Sequence, residues 1–150
     1  NESAVSKNEA TAEPKFGFVV TKDEHGARWN LDFEFSKVDE ELRLVGGLVY
    51  EPDVVDAQGH AATADEIRKA AHNFLAESKT LGLMHKEPAG PRAEIVECAL
   101  AHDNFRMGNQ TIRKGSWFMV VRIKDDELWG KVKKGEITGF SMGGRARYAE

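Results

Sequence analysis

Trp29-Asn30-Leu31-Asp32-Phe33-Glu34-Phe35-Ser36 alternates apolar and polar residues without a break. A period of two puts Trp29, Leu31, Phe33 and Phe35 on one side of an extended chain and the polar residues on the other, the pattern of a half-buried antiparallel strand. Upstream, order begins at Phe16-Gly17-Phe18-Val19-Val20, and Asp23-Glu24-His25-Gly26 is a turn signal with His25 expected in solvent. Residues 1–14 are small and polar and read as a flexible tail. That leaves 15–150 as one domain, in keeping with a length of 150 residues.

Downstream, Leu42 to Tyr50 reads as a second strand, with Gly46-Gly47 predicting a bulge or sharp bend. The Pro- and Gly-punctuated stretch 51–59 is a loop whose aspartates lack the spacing of a calcium loop. Thr63-Ala64-Asp65-Glu66 is a capping box opening a helix with Ile67, Ala70, Ala71, Phe74 and Leu75 as its apolar stripe and His72 off it. Leu81 to His85 is a short strand delivering a histidine at its end. In the strand Ala93 to Ala101, Val96, Cys98 and Leu100 face one way, and Ile95 and Glu97 the other. Ser116 to Ile123 is apolar on both faces and is expected to be a central, doubly covered strand. Asp125 to Lys134 is a second helix, with acids in its first turn, lysines in its last and Gly135 beyond. The count is six or seven strands and two helices, an α+β arrangement, mostly antiparallel, whose glycines suit a curled sheet or β-barrel.

A net charge of -4 and a pI near 5.8 argue against a nucleic-acid grip. The C-terminal lysines are explained by the helix dipole. One cysteine, Cys98, rules out an internal disulfide framework, and no apolar run is long enough to span a bilayer as a helix. Cys98 and His102 have no second ligand pair, so no metal or cofactor is expected. The chain opens on Asn rather than Met, and a processed or excised product is the expectation.

The chemistry concentrates in Ile137-Thr138-Gly139-Phe140-Ser141-Met142-Gly143-Gly144-Arg145. Gly139-x-Ser141-x-Gly143 has the letters of a nucleophile elbow, which requires a following helix and a later acid and histidine. Nine residues follow Ser141 with no Asp or His among them, so that reading fails on chain order. An ordinary surface serine at a Gly-rich strand end stands as the plain alternative. His85, at a strand end beside a loop, sits where an imidazole can serve as a general base or simply as a capped histidine.

Taken in order, several segments resemble one family: Val49 to Gly59, Ala70-Ala71-His72-x-Phe74, His85, Ile95-Val96-Glu97, Lys114-Gly115-x-Trp117, Asp125 to Trp129, and Gly135 to Gly144. Together they are similar to the XkdF-like putative phage serine protease family, relatives of the prohead maturation proteases of tailed phages. The resemblance covers about residues 45–146.

It implies a β-barrel with flanking helices like the herpesvirus maturation protease, and a histidine preceding the serine in the chain. Ser141 is then the nucleophile and His85 its base, with Gly143, Gly144 and Arg145 supplying backbone amides to the oxyanion. For the third member Glu97 is the candidate, an acid on an otherwise apolar strand; pairing with Arg92 or Arg122 is the plain alternative, and His102 and Asp103 are weaker choices. The implied activity is a serine endopeptidase cutting scaffold and major capsid proteins, and itself, during prohead maturation in the host cytoplasm. Dimerisation is a route to activation in related viral proteases. The competing reading is an inactive capsid-assembly or scaffold-binding module on the same fold.

Overall fold

The computed structural model describes residues 20–23, 26–55, 59, 61–78, 81–83 and 87–146, giving strand pairing alone over 20–30 and 143–146. The tail expected over 1–14, the turn residue His25 and the proposed base His85 lie outside the described residues.

The alternating stretch forms β2 (Gly26–Glu34), paired with β1 (Val20–Asp23) in an antiparallel hairpin. Phe33 is fully buried while Asp32 and Glu34 are exposed, as the period of two requires. On its other side β2 pairs with β11 (Gly139–Ala146), and β11 continues to β5 (Leu81–Leu83) and β6 (Glu87–Pro88). A second sheet runs β3 (Lys37–Asp39), β4 (Leu44–Tyr50), β10 (Trp117–Ile123) and β7 (Ala93–Leu100). Every strand pair among the described residues is antiparallel.

β10 is central, as its two apolar faces predict. One face joins the main core, with Trp117, Met119, Val121 and Ile123 buried. Phe118 and Val120 pack against Met107 and Ile112 of a hairpin, β8 (Phe105–Met107) and β9 (Gln110–Ile112), that covers the other. The described residues contain eleven strands rather than six or seven. The difference lies in β3, β6, β8 and β9, pieces of two or three residues too short to show a period.

Helix α1 (Ala64–Asn73) carries both hydrogen bonds of the predicted capping box, and its Ile67, Ala70 and Ala71 are buried. The expectation for Leu75 is corrected. The helix passes into a π-helical turn at Phe74–Ser78, and the wider turn rotates Leu75 out of the stripe to 37% exposure. Helix α2 (Asp126–Lys133) is capped by the Asp125 carboxylate, which accepts from Leu128 N, and Gly135 takes φ +79° beyond its end. No helix among the described residues is long and apolar enough to cross a membrane.

The two sheets join at one corner. Ser36 N, just past the end of β2, donates to Gly46 O of β4 at 2.8 Å. A Cβ on Gly47 would stand 2.0 Å from Glu34 O, so the Gly46-Gly47 pair serves this close approach. The bulge predicted there falls instead beside Val49, skipped between Tyr50↔Trp117 and Leu48↔Phe118.

The expected barrel does not close among the described residues: the far edges of the two sheets, β6 and β7, are not paired. Sequence explains the gap. Pro88 has no N–H to give a ladder, and its carbonyl already accepts from Arg92 Nη2 at 3.2 Å. In β7 a register shift inserts Val96, which swings Ile95 onto the same core-facing side as Cys98 and Leu100 instead of the side of Glu97.

Candidate active site

Ser141 sits in the middle of β11 and has a strand on either side. It lies opposite Asp32 of β2 and opposite Gly82 of β5. Its neighbours Phe140 and Met142 are 1% and 2% exposed and point into the core, so the half-buried Ser141 points to the outer face. Gly82 in turn lies opposite Pro88. Residues opposite one another across antiparallel strands share a face. The outer face therefore carries one row: Asp32, Ser141, Gly82 and Pro88.

The ladder fixes where backbone groups point. Phe35 N donates to Thr138 O at 2.9 Å across the β2–β11 ladder, and Ala89 N to Leu81 O at 2.8 Å across β5–β6. Antiparallel pairs alternate between hydrogen-bonded and non-hydrogen-bonded rungs. Hence Phe140, Met142 and Gly144 turn their N–H and C=O to β2, whereas Ser141, Gly143 and Arg145 turn theirs to the β5 side. Ser141 and Asp32 thus occupy a non-hydrogen-bonded rung, where side chains come closest, with Cβ atoms about 5 Å apart. On the opposite flank Gly82 has no side chain of its own to crowd the serine hydroxyl. Of the three residues expected to supply oxyanion amides, Gly144 has its N–H turned into the β2 ladder. Those of Gly143 and Arg145 face the β5 edge.

Glu97 is placed elsewhere. It is exposed on β7, opposite Val120, in the sheet that does not contain Ser141. Neither arginine suggested for it is bonded to it: Arg122 pairs with Glu94 at 3.1 Å, and Arg92 donates to the carbonyls of Pro88 and Ala89. His102 and Asp103 are exposed in the turn after β7, and His72 is exposed on α1. Cys98 is half-buried and accepts from the Trp117 indole N–H at 3.2 Å; burial pushes its thiol pKa up, and that bond opposes the shift. Among the described residues no three His, Cys, Asp or Glu side chains gather as a metal site requires.

The acid beside the serine is therefore Asp32, which the sequence shows only as one polar residue in an alternating strand. Its relation to Ser141 is created by a register between segments more than 100 positions apart in the chain. No local pattern contains that information.

A family model described as "Putative phage serine protease XkdF" matches residues 32–150. The phage-like element PBSX protein XkdF of Bacillus subtilis (strain 168) is 48% identical over 114 residues, covering 76% of this chain and 40% of that protein. The uncharacterized protein YqbD of the same strain is 42% identical over 134 residues, covering 89% of this chain and 41% of its own length. The chain thus spans about two-fifths of the relatives it matches. No solved structure matches it. With four-fifths of its length inside the family model, the chain belongs to the family described as "Putative phage serine protease XkdF".

Proposed function

We propose that this domain is a serine endopeptidase of a tailed phage that cleaves scaffold and major capsid proteins, and its own chain, within the prohead in the host cytoplasm. Ser141 Oγ attacks the scissile carbonyl carbon as His85 takes its proton, giving a tetrahedral intermediate whose oxyanion accepts from the N–H groups of Gly143 and Arg145. His85 then returns the proton to the leaving amine, and the acyl-enzyme is released by a water activated in the same way. No cofactor enters this chemistry.

The observation that carries the reading is the rung Ser141–Asp32 on the outer face, with side-chain-free Gly82 on the serine's other flank. His85 follows Gly82 by three residues in the chain, and the reading requires its imidazole to reach the serine. An orienting carboxylate has to reach that imidazole while the imidazole reaches Ser141. Asp32 shares the serine's face and Glu97 lies in the other sheet, so we assign the third role to Asp32 in preference to Glu97.

The test is incubation of the protein with the scaffold protein of its own phage, beside Ser141→Ala and His85→Ala. Cleavage by the wild type alone is expected. Equal cleavage by all three proteins excludes Ser141 as nucleophile, whereas no cleavage by any of them leaves the inactive assembly module as the reading. Sedimentation at the concentrations used shows whether activity requires a dimer.

A further inference from the structure

The gap between the two sheets leaves a cleft of about 370 Å³ lined by Leu75, Leu81, Pro88, Gly90, Ala93, Glu94 and Ile95. Its size is at the small end for ligand clefts. Its walls are mostly aliphatic, and its lip includes Leu75, the side chain that the π-helical turn brings to the surface.

One wall of the cleft is a strand edge that stays unpaired among the described residues. Across the β7–β10 ladder, Lys124 N donates to Arg92 O at 2.7 Å and Ala101 N to Ser116 O at 2.8 Å. Alternation from these two rungs, with the register shift at Val96 between them, turns the N–H and C=O of Ala93, Ile95, Cys98 and Leu100 away from β10. No described residue bonds them. Across the cleft, β6 cannot use them, because Pro88 has no N–H and its carbonyl is occupied by Arg92. The edge is thus kept open by the side chains that face it.

The cleft is also close to the serine. Pro88 closes the row Ser141–Gly82–Pro88, two strand spacings from Ser141, or about 10 Å. The row crosses the strands, so a peptide leaving the β7 edge turns over β6 and β5 to reach the serine, a span that three extended residues cover.

We propose that β7 is the docking strand for the substrate: an extended peptide pairs with the outer edge at Ala93 and Ile95 and seats an aliphatic side chain in the cleft, which sets specificity about three residues from the scissile bond. The inference rests on the protease reading and extends it. Outward amides and carbonyls two residues apart fit an extended backbone, and the aliphatic walls fit a Leu, Ile, Val or Met side chain. Glu94 at the cleft is paired with Arg122, and exposed Glu97 farther along β7 selects against acidic flanking residues and favours basic ones. A second copy of the chain fits less well, because the shift at Val96 breaks the edge into two short runs where a strand-to-strand dimer needs a continuous one.

The experiment measures binding apart from cleavage. Octapeptides from a randomised library are selected on Ser141→Ala protein, and the best are synthesised with fluorescein and titrated by anisotropy. The recovered peptides are expected to share one aliphatic position with basic rather than acidic neighbours. Methylating their backbone nitrogens one at a time is expected to weaken binding tenfold or more at alternate positions only, as strand pairing demands. Adding Leu75→Asp, a surface change whose folding is checked by its melting curve, is expected to weaken binding to a similar degree. Peptides without a shared aliphatic position, methylation without a period of two, or indifference to Leu75→Asp would each overturn the docking strand, while wild-type cleavage of scaffold would leave the protease reading intact. Periodic, Leu75-dependent binding in a protein that cleaves nothing would support the docking strand and reject the protease.

Discussion

The register that sets Asp32 beside Ser141 depends on a glycine two residues before the serine, and Gly139→Ala tests it. A Cβ at Gly139 would stand 2.3 Å from Phe33 O and 3.1 Å from Glu34 Cα. Both are backbone atoms of β2, so no side chain can swing aside. Restoring ordinary contact requires β11 to retreat from β2 by about 1 Å. That movement stretches the adjoining bond from Phe35 N to Thr138 O, now 2.9 Å, past the limit of a hydrogen bond. Overpacking costs about 1–3 kcal/mol and the lost bond about 1 more, so the expected destabilisation is about 2–4 kcal/mol. For a domain of this size that lowers Tm by roughly 10 °C. Gly130→Ala is the control. Gly130 lies within α2, has a negative φ and has nothing within 4 Å of its notional Cβ. Helix propensity alone should therefore raise stability by about 0.5–1 kcal/mol. Scanning calorimetry of the two variants beside the wild type decides the matter. A Gly139→Ala protein melting within a degree or two of wild type would show that β2 and β11 do not approach as described, and the Ser141–Asp32 rung would fall with that approach.

Asp32→Asn, which keeps size and loses charge, is expected to lower kcat on scaffold by on the order of 100-fold or more, whereas Glu97→Gln leaves it near wild type; the reverse ranking would return the third role to Glu97. Ser116 is fully buried and its hydroxyl has no hydrogen-bond partner, so Ser116→Ala should be neutral or stabilising by about 1 kcal/mol in urea denaturation, and a clear loss would reveal a partner for that hydroxyl. Because the folded Cys98 thiol holds its proton more firmly than the unfolded one, its contribution is complete below the unfolded pKa of about 8.5 and is lost as pH rises through the higher folded value. The difference in stability between wild type and Cys98→Ala should therefore shrink above pH 8.5, and iodoacetamide should label native Cys98 more slowly than the unfolded chain; a difference constant with pH, or equal labelling rates, would contradict the burial effect.

What the sequence disclosed, it disclosed through local physics. The alternation in β2, the capping box at Thr63, the acid-to-lysine gradient of α2 and the doubly apolar β10 are interactions among residues a few positions apart, and each forms as expected. The failures share the opposite character. Leu75 leaves its stripe because one π-helical turn changes the phase, and Ile95 changes sides because one inserted residue reverses the alternation of β7. Neither irregularity has a sequence signature as strong as the period it interrupts. Asp32 could be seen as polar but not as the partner of Ser141, and Glu97 stood out because it breaks an apolar strand although it lies in the other sheet. The glycines that suggest a barrel allow close approach at one corner; at the opposite side Pro88, without an N–H, leaves the seam open among the described residues.

On the proposed protease reading, the same geometry gives a serine on a regular strand the clearance a nucleophile needs, a task usually given to a sharp turn. At an elbow the backbone itself thrusts the hydroxyl clear of its surroundings. On a strand, neighbours directly opposite crowd a side chain at about 5 Å, and one of ordinary size on each flank would bury the hydroxyl. Here one flank holds Gly82, which has no side chain, and the other holds Asp32, which is exposed. The following rungs belong to Gly143 and Gly144, so the strand beyond the serine is bare as well. Clearance that an elbow obtains from its curvature is obtained here by leaving out side chains. The strand adds something an elbow lacks: the row it belongs to ends at Pro88, which also lines the cleft, so on the docking proposal the bound peptide starts two strand spacings from the hydroxyl. A bulky residue at Gly82 should therefore impair cleavage while leaving binding at the β7 edge intact, separating access to the serine from docking.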